Sequence, residues 1–198
     1  MIKKLQKLKA KKGFTLVELI VVIAIIGVLA AILVPTMLGY VQNSRVTAAD
    51  QVAKTIKDAA QVCATEMDTL GKGLKSDVVV AFGSYVSGTG ATIDGGKIGA
   101  AATNYKGMNP ANADTDHANK LASSLTTLLT EAKNGTFAVV YENGTCVAAY
   151  WTEDVQLSSF KGMFNTTTGA FTKWLGSAGT PGVLSDGAIV GSNPKYNG

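Results

Sequence analysis

The chain begins with an abrupt change from charged to apolar residues. Its first twelve residues include six lysines and no acid, and residues 14–38 contain a single charged side chain, Glu18. At about 1.5 Å per residue, a helix of that length spans roughly 37 Å, more than the roughly 30 Å hydrocarbon core of a bilayer. The run therefore predicts a membrane-spanning helix, and the lysines predict that its amino end is cytoplasmic and the remaining chain is outside.

After this run the hydrophobic pattern becomes that of an amphipathic helix. Apolar residues alternate spacings of three and four, whereas the opposite face is polar, which is typical of a helix with one buried face. The stripe consists of Val46, Ala49, Ala53, Ile56, Ala60, Cys63, Met67 and Leu70. A coiled-coil dimer would use the same stripe, but its shortness and its alanines favour packing on the protein's own globular domain.

The two patterns together predict one long helix over residues 14–68. Gly27, Pro35 and Gly39 interrupt its apolar half. Because proline removes a backbone hydrogen bond and clashes with the preceding turn, a bend is expected near these residues.

Residues 69–198 are enough for one compact domain. The sequence predicts strands at residues 78–86 and 135–151, the second region being a hairpin because Asn143 and Gly144 separate two apolar runs. Leucines at helical spacing predict a shorter helix around residues 121–129, ending near Asn134 and Gly135. Residues 87–114 are rich in glycine, alanine and asparagine and predict a surface loop, and residues 187–190 suggest a last strand.

The lone acid of the apolar run separates the interpretations of the amino end. A carboxylate in a membrane helix costs roughly 2.5–3.5 kcal/mol, so something should offset Glu18. A secretory signal peptide cut near residues 29–31 would be unusually long and would carry this acid in its apolar region. An uncleaved membrane anchor explains the length but gives Glu18 no purpose.

A third interpretation comes from the stretch KKGFTLVELIVVIAIIGVLAAILVP, residues 11–35. It resembles the leader and first helix of a type IV pilin precursor, with Gly13 before Phe14, a glutamate four residues later and Pro35 further along. The resemblance covers roughly the first 60 residues. It implies an α+β fold in which a long amino-terminal helix packs on a small antiparallel sheet domain. It also divides the chain into a leader (1–13), a helix (14–68, spanning the membrane over 14–38) and an extracellular domain (69–198).

The same resemblance implies how the protein is processed and what it does. A prepilin peptidase would cut between Gly13 and Phe14 and methylate the new amino group of Phe14. Glu18 would then pair with the Phe14 amine of a neighbouring subunit, and residues 27–35 would unwind as subunits pack. The chain would be a structural filament subunit whose partners are its own copies, the peptidase, the assembly machinery and, before assembly, membrane lipid.

Two other functions fit parts of the sequence. One is a pseudopilin or competence-type subunit of a shorter fibre, and the other, from a different class, is an anchored or secreted carbohydrate-binding protein. Aromatic residues of the outer domain could face sugars, but most are expected in the core: Tyr85, Tyr105, Tyr150, Trp151, Phe171 and Trp174.

Net charge does not indicate a nucleic-acid partner once the leader is considered. The whole chain carries +4, but removing the six leader lysines leaves 12 basic side chains against 14 acidic ones, a net charge of −2. The basicity therefore belongs to the leader rather than to a patch on a folded domain.

The outer domain shows no catalytic, metal or cofactor pattern. His117 is the one histidine and is expected to be solvated at a polar helix start; Glu153 and Asp154 are adjacent, which suits paired acid–base chemistry poorly. Cys63 and Cys146 both fall on apolar faces. Helix packing on the sheet, as the resemblance implies, would allow a disulfide between them, and two buried thiols are the alternative.

Overall fold

A computed structural model describes residues 13–71, 73–74, 78–94, 115–164, 171, 182–184 and 188–194. Within them lie three helices, α1 (Leu16–Thr69), α2 (Thr115–Leu128) and α3 (Leu157–Lys161). Five strands accompany them: β1 (Val78–Val86), β2 (Gly90–Ile93), β3 (Gly135–Glu142), β4 (Thr145–Thr152) and β5 (Gly191–Asn193). The chain forms two compact units, Met1–Asn43 and Ser44–Gly198.

In the first unit, the described residues from Leu16 onward belong to α1. All of residues 13–41 are exposed, including every large apolar side chain. Among the described helices, α1 alone is long and apolar enough to cross a membrane. The helix is continuous through Gly27, Pro35 and Gly39, and the bend expected there stays a prediction.

The second unit is built on an antiparallel sheet with strand order β2-β1-β3-β4-β5. Alternate residues of its strands point to opposite faces. On β1, Val79 and Ala81 pack with the carboxyl half of α1 and with α2, whereas Val80 and Phe82 pack with α3. The α+β prediction, with a long helix packed on a small sheet, is therefore confirmed.

The amphipathic stripe of α1 packs on the protein's own sheet, as expected. Its buried members are Ala53, Ile56, Ala60, Cys63 and Met67. The stripe extends less far than predicted, because Leu70 lies beyond the helix end and is exposed.

The β3–β4 hairpin turns at the predicted Asn143 and Gly144. Both have positive φ, 50° and 80°, as a two-residue hairpin of this twist requires. A bulge follows, since Val140 pairs with Ala148 but Tyr141 pairs with Cys146. The extra residue changes the alternation, so that Cys146 shares the α1-facing core with Ala149 and Trp151.

Three expectations for the outer domain were wrong. Residues 90–93 of the expected loop form β2 on β1, with Ala91 and Ile93 buried; residues 95–114 lie outside the described residues. Helix α2 ends at Leu128, and Gly135 begins β3 rather than ending the helix. The suggested strand at 187–190 lies slightly later, as β5, while Ile189 forms an isolated bridge with Val183.

The carboxyl-terminal strand is fixed on α1 by backbone contacts. The Ser192 amide donates to Asp50 Oδ1 at 2.9 Å. A Cβ on Gly191 would fall on the backbone of Ala49 and Asp50, so glycine is what allows this approach. Just before β5, the amide of Ile189 donates to Asp154 Oδ2 at 2.9 Å. The sheet edge is thus closed by α1.

Candidate functional site

The predicted site lies where α1 begins. Thr15 precedes the helix and Glu18 occupies its first turn. The Thr15 amide and hydroxyl both donate to Glu18 Oε2, at 2.9 and 2.7 Å, and the Glu18 amide donates to Thr15 Oγ1 at 3.2 Å. This reciprocal arrangement is a capping box, which satisfies amide groups that a helix start otherwise leaves unpaired.

The capping box gives Glu18 a partner within its own chain. The positive end of the helix dipole also favours a carboxylate in the first turn. The sequence interpretation missed the role of Thr15, although the signal was present: threonine followed three residues later by glutamate, before an apolar run, is the capping-box pattern.

The predicted cleavage position lies outside the helix. Gly13, Phe14 and Thr15 are non-helical, and Phe14 is 85% exposed. A peptide bond outside regular hydrogen-bonded structure is open to a protease, because its backbone groups are not engaged in a helix ladder. Cleavage after Gly13 and methylation of Phe14 stay predictions.

The glycines of the apolar segment are not required by packing within the subunit. A Cβ on Gly27 or Gly39 would meet no atom within 4 Å. Next to Pro35, the Thr36 hydroxyl donates to the Leu33 carbonyl at 2.9 Å. Unwinding at these residues on assembly stays a prediction.

Both cysteines are buried in the α1-facing core. The Cys63 thiol lies 3.8 Å from the His117 carbonyl, and the Cys146 thiol lies 3.8 Å from the Ala148 carbonyl. The Cys146 amide, at the bulge, donates to Gln61 Oε1 at 2.7 Å. A disulfide between the two thiols stays a prediction, whereas their predicted positions on the helix stripe and the second hairpin strand are confirmed.

We expect the stability of the folded domain to fall in alkali because of Cys146. Burial raises the pKa of this thiol from 9.0 to about 12, so the folded state holds the proton more tightly than the unfolded chain does. The contribution of Cys146 to the free energy of unfolding should be level below pH 9 and fall above it, by at most about 4 kcal/mol at pH 12. Urea unfolding of the detergent-solubilised protein at a series of pH values measures this fall.

The Cys146→Ala variant is the control for this titration. Burial also raises the pKa of Tyr141 well above 10.0, so a smaller alkaline decline should remain in the variant. A wild-type profile that stays level between pH 9 and 10 would contradict a free thiol at Cys146.

The expectation that His117 is solvated was wrong. Its side chain is fully buried, and its ring meets that of Tyr141 edge-on at 5.5 Å. It lies four residues before Leu121 and eight before Leu125, both buried, so it continues the apolar face of α2. That spacing was the signal that could have placed it in the core.

The aromatic and acidic candidates take structural positions. Tyr85, Trp151 and Phe171 are buried, as expected, and Tyr150 is half-buried against Phe164. Tyr105 and Trp174 lie outside the described residues. The adjacent acids form separate ion pairs: Glu153 with Lys133 at 3.7 Å and Asp154 with Arg45 at 3.3 Å.

Comparison with known proteins agrees with the geometry at the start of α1. Residues 8–34 match the family model of the prokaryotic N-terminal methylation motif. The chain is 48% identical over 54 residues to a fimbrial protein of Pseudomonas aeruginosa, a match covering 27% of this chain and 35% of that protein. It is 50% identical over 56 residues to the type IV major alpha-pilin of Moraxella bovis, covering 27% and 35%.

A longer match extends beyond the first helix. The chain is 33% identical over 100 residues to the type IV major fimbrial protein FimA of Dichelobacter nodosus, covering 48% of this chain and 62% of that protein. The matched part is thus about a third to three-fifths of these relatives' length. No solved structure matches the chain.

Proposed function

We propose that this chain, which carries the N-terminal methylation motif and is similar to type IV fimbrial proteins, is a structural subunit of a type IV pilus. The observation that carries the proposal is the match of the motif to residues 8–34. Within that match, the exposed apolar part of α1 begins at Leu16, shortly after the non-helical Gly13–Phe14 junction, and has Glu18 in its first turn.

Processing is the first step of the proposed function. A prepilin peptidase on the cytoplasmic side cleaves the Gly13–Phe14 peptide bond, which removes the lysine-rich leader and leaves an amino group on Phe14. Methylation of that amine keeps its positive charge. The support is that this bond precedes the helix and is exposed, while the helix itself begins only at Leu16.

Assembly then pairs charges that are costly in lipid. The new ammonium of Phe14 lies four residues from Glu18, at nearly the same depth. A carboxylate and an ammonium in an apolar medium cost far less together than apart, provided their geometry is good. We infer that the amine comes from a neighbouring subunit, so that the pair forms when one subunit joins the next.

The proposed locations follow from the same segment. The precursor is held in the cytoplasmic membrane by residues 14–38, with its leader inside and its sheet domain outside. The assembly machinery then moves the subunit into an extracellular filament. There, the apolar segments of many copies pack against one another and take the place of lipid. These segments are exposed in the single subunit, and their burial away from water is favourable.

The mature protein recovered from cells should begin at Phe14 and be one methyl group heavier than calculated for residues 14–198. Cleavage after Gly13 creates an amine that can neutralise Glu18 inside the membrane. Intact-mass measurement with amino-terminal sequencing tests this directly. A Gly13→Val variant is the control, because a branched side chain at the cleavage position should leave the leader attached.

A chain that still begins at Met1, or begins near Ala31, would contradict the proposal. The first result would make the segment a permanent anchor and the second a secretory signal. In the first case Glu18 would lack its cation, and in the second the mature chain would no longer contain Glu18.

A further inference from the structure

The structure assigns a positioning role to Thr15: we propose that its amide and hydroxyl hold one oxygen of Glu18 and so present the other to the amine of an incoming subunit. This inference rests on the proposed function. It adds a residue to the assembly site that the sequence interpretation placed only on Phe14 and Glu18.

The hydrogen bonds around Glu18 are divided unevenly between its two oxygens. Both Thr15 donors reach Oε2, one through the backbone and one through the side chain. Oε1 accepts no hydrogen bond from any of the described residues. A carboxylate has about four acceptor positions, so Oε1 keeps full capacity for an ammonium donor.

Holding Oε2 fixes where Oε1 lies. A glutamate side chain at a helix surface is free to change rotamer, and freezing it on binding costs free energy. In Glu18 the two bonds to Thr15 fold the side chain back toward the start of the helix, before any partner arrives. The conformational entropy of the Glu18 side chain is then already lost within the subunit, before the ion pair forms. The carboxylate also lies near the start of the helix, at about the same membrane depth as the Phe14 amine of each copy.

The proposed role differs from helix capping alone. Capping uses the Thr15 oxygen as an acceptor for the Glu18 amide, at 3.2 Å. Positioning uses the Thr15 hydroxyl as a donor to the carboxylate, at 2.7 Å. The first function affects whether the subunit folds and inserts, and the second affects how well an inserted subunit binds its neighbour.

The experiment compares Thr15→Val with Thr15→Ser in cells that assemble the protein. Valine has nearly the shape of threonine but no hydroxyl, whereas serine keeps it. We expect Thr15→Val to lower the yield of sheared filament about tenfold, the typical effect of losing a hydrogen bond to a charged group, at unchanged amounts of cleaved membrane subunit. Thr15→Ser should restore the wild-type yield.

Thr36→Val is the matched control. Thr36 lies in the same apolar segment, but its hydroxyl donates to a carbonyl of its own helix rather than to a carboxylate. The yield from this variant should remain within about twofold of wild type, because a back-bond to the helix contributes little.

Two outcomes would overturn the inference. Filament yield from Thr15→Val equal to wild type would show that the hydroxyl does not position Glu18. A parallel fall in filament and in cleaved membrane subunit would reduce Thr15 to a helix cap. Absence of filaments from the wild type itself would instead contradict the proposed function, which keeps the two failures distinct.

Discussion

Replacing Glu18 with valine should abolish filaments while the chain still inserts in the membrane and loses its leader. In the proposed assembly, the variant removes the carboxylate and leaves the neighbour's Phe14 ammonium unpaired in an apolar interface. Breaking a buried ion pair by removing one partner costs about 3–5 kcal/mol, which corresponds to a factor of roughly 10² to 5 × 10³ in each subunit addition. Electron microscopy of sheared cells, with immunoblots of membranes for the cleaved subunit, measures both effects.

Glu18→Gln separates the ion pair from the capping box. Glutamine at this position can still accept from Thr15, so the helix start should survive, but it carries no charge for the amine. If the ion pair drives assembly, Glu18→Gln should also lack filaments despite normal insertion. Wild-type filament yield from Glu18→Gln would show that the residue acts only as a helix cap.

Gly191→Ala should destabilise the sheet domain by about 3 kcal/mol or more. A Cβ on this residue would overlap the backbone of Ala49 and Asp50, which belongs to α1 and cannot rotate away as a side chain would. Overpacking in a closely packed interior costs typically about 1–3 kcal/mol, and a rigid backbone obstacle lies at the upper end. The strand must separate from the helix, which also breaks the Ser192 bond to Asp50.

Gly162→Ala provides the matched control for this substitution. Gly162 follows α3 at φ −66°, and a Cβ there meets its nearest atom, the Ser159 carbonyl oxygen, at 3.4 Å. Its unfolding midpoint in urea should remain close to that of wild type. Equal stability of Gly191→Ala and Gly162→Ala would show that β5 does not rest on α1 as described.

The elements that the sequence predicted well depend on residues close together in the chain. The apolar run and the amphipathic stripe are periodic over several turns, and the Asn143–Gly144 hairpin joins strands that are adjacent in sequence. The predicted amphipathic stripe was too long by one residue, Leu70. The apolar periodicity of the sequence continues to this residue, but the hydrogen-bonded helix ends at Thr69.

The candidate site was predicted in part. Gly13, Phe14 and Glu18 were identified because the local sequence resembles a known motif. That identification required no knowledge of which residues contact one another in the fold. Thr15 was missed although its pattern is local. The charge of Glu18 was interpreted only as half of an ion pair, whereas the same carboxylate also accepts hydrogen bonds from Thr15 at the helix start.

His117 and the short strands were misplaced for a different reason. Most neighbours of His117 in the chain are polar, and they outweighed its helical spacing to the buried Leu121 and Leu125. The partner of its ring, Tyr141, lies on another element. Strand β2 has only four residues, which is too short for a clear strand pattern in the sequence. It forms because the edge of β1 has backbone groups available for pairing.

By itself, the sequence determined the long apolar run, the capping box at its start, the amphipathic continuation and the main hairpin, because each depends on interactions within a few residues. Only the tertiary structure decided the bulge that turns Cys146 toward α1, the contact of the His117 ring with Tyr141 and the closure of the sheet edge. In that closure, Asp50 and Ser192 lie 142 residues apart in the chain. No local pattern records such a contact, because its free energy depends on a surface that exists only after α1 and the sheet have packed.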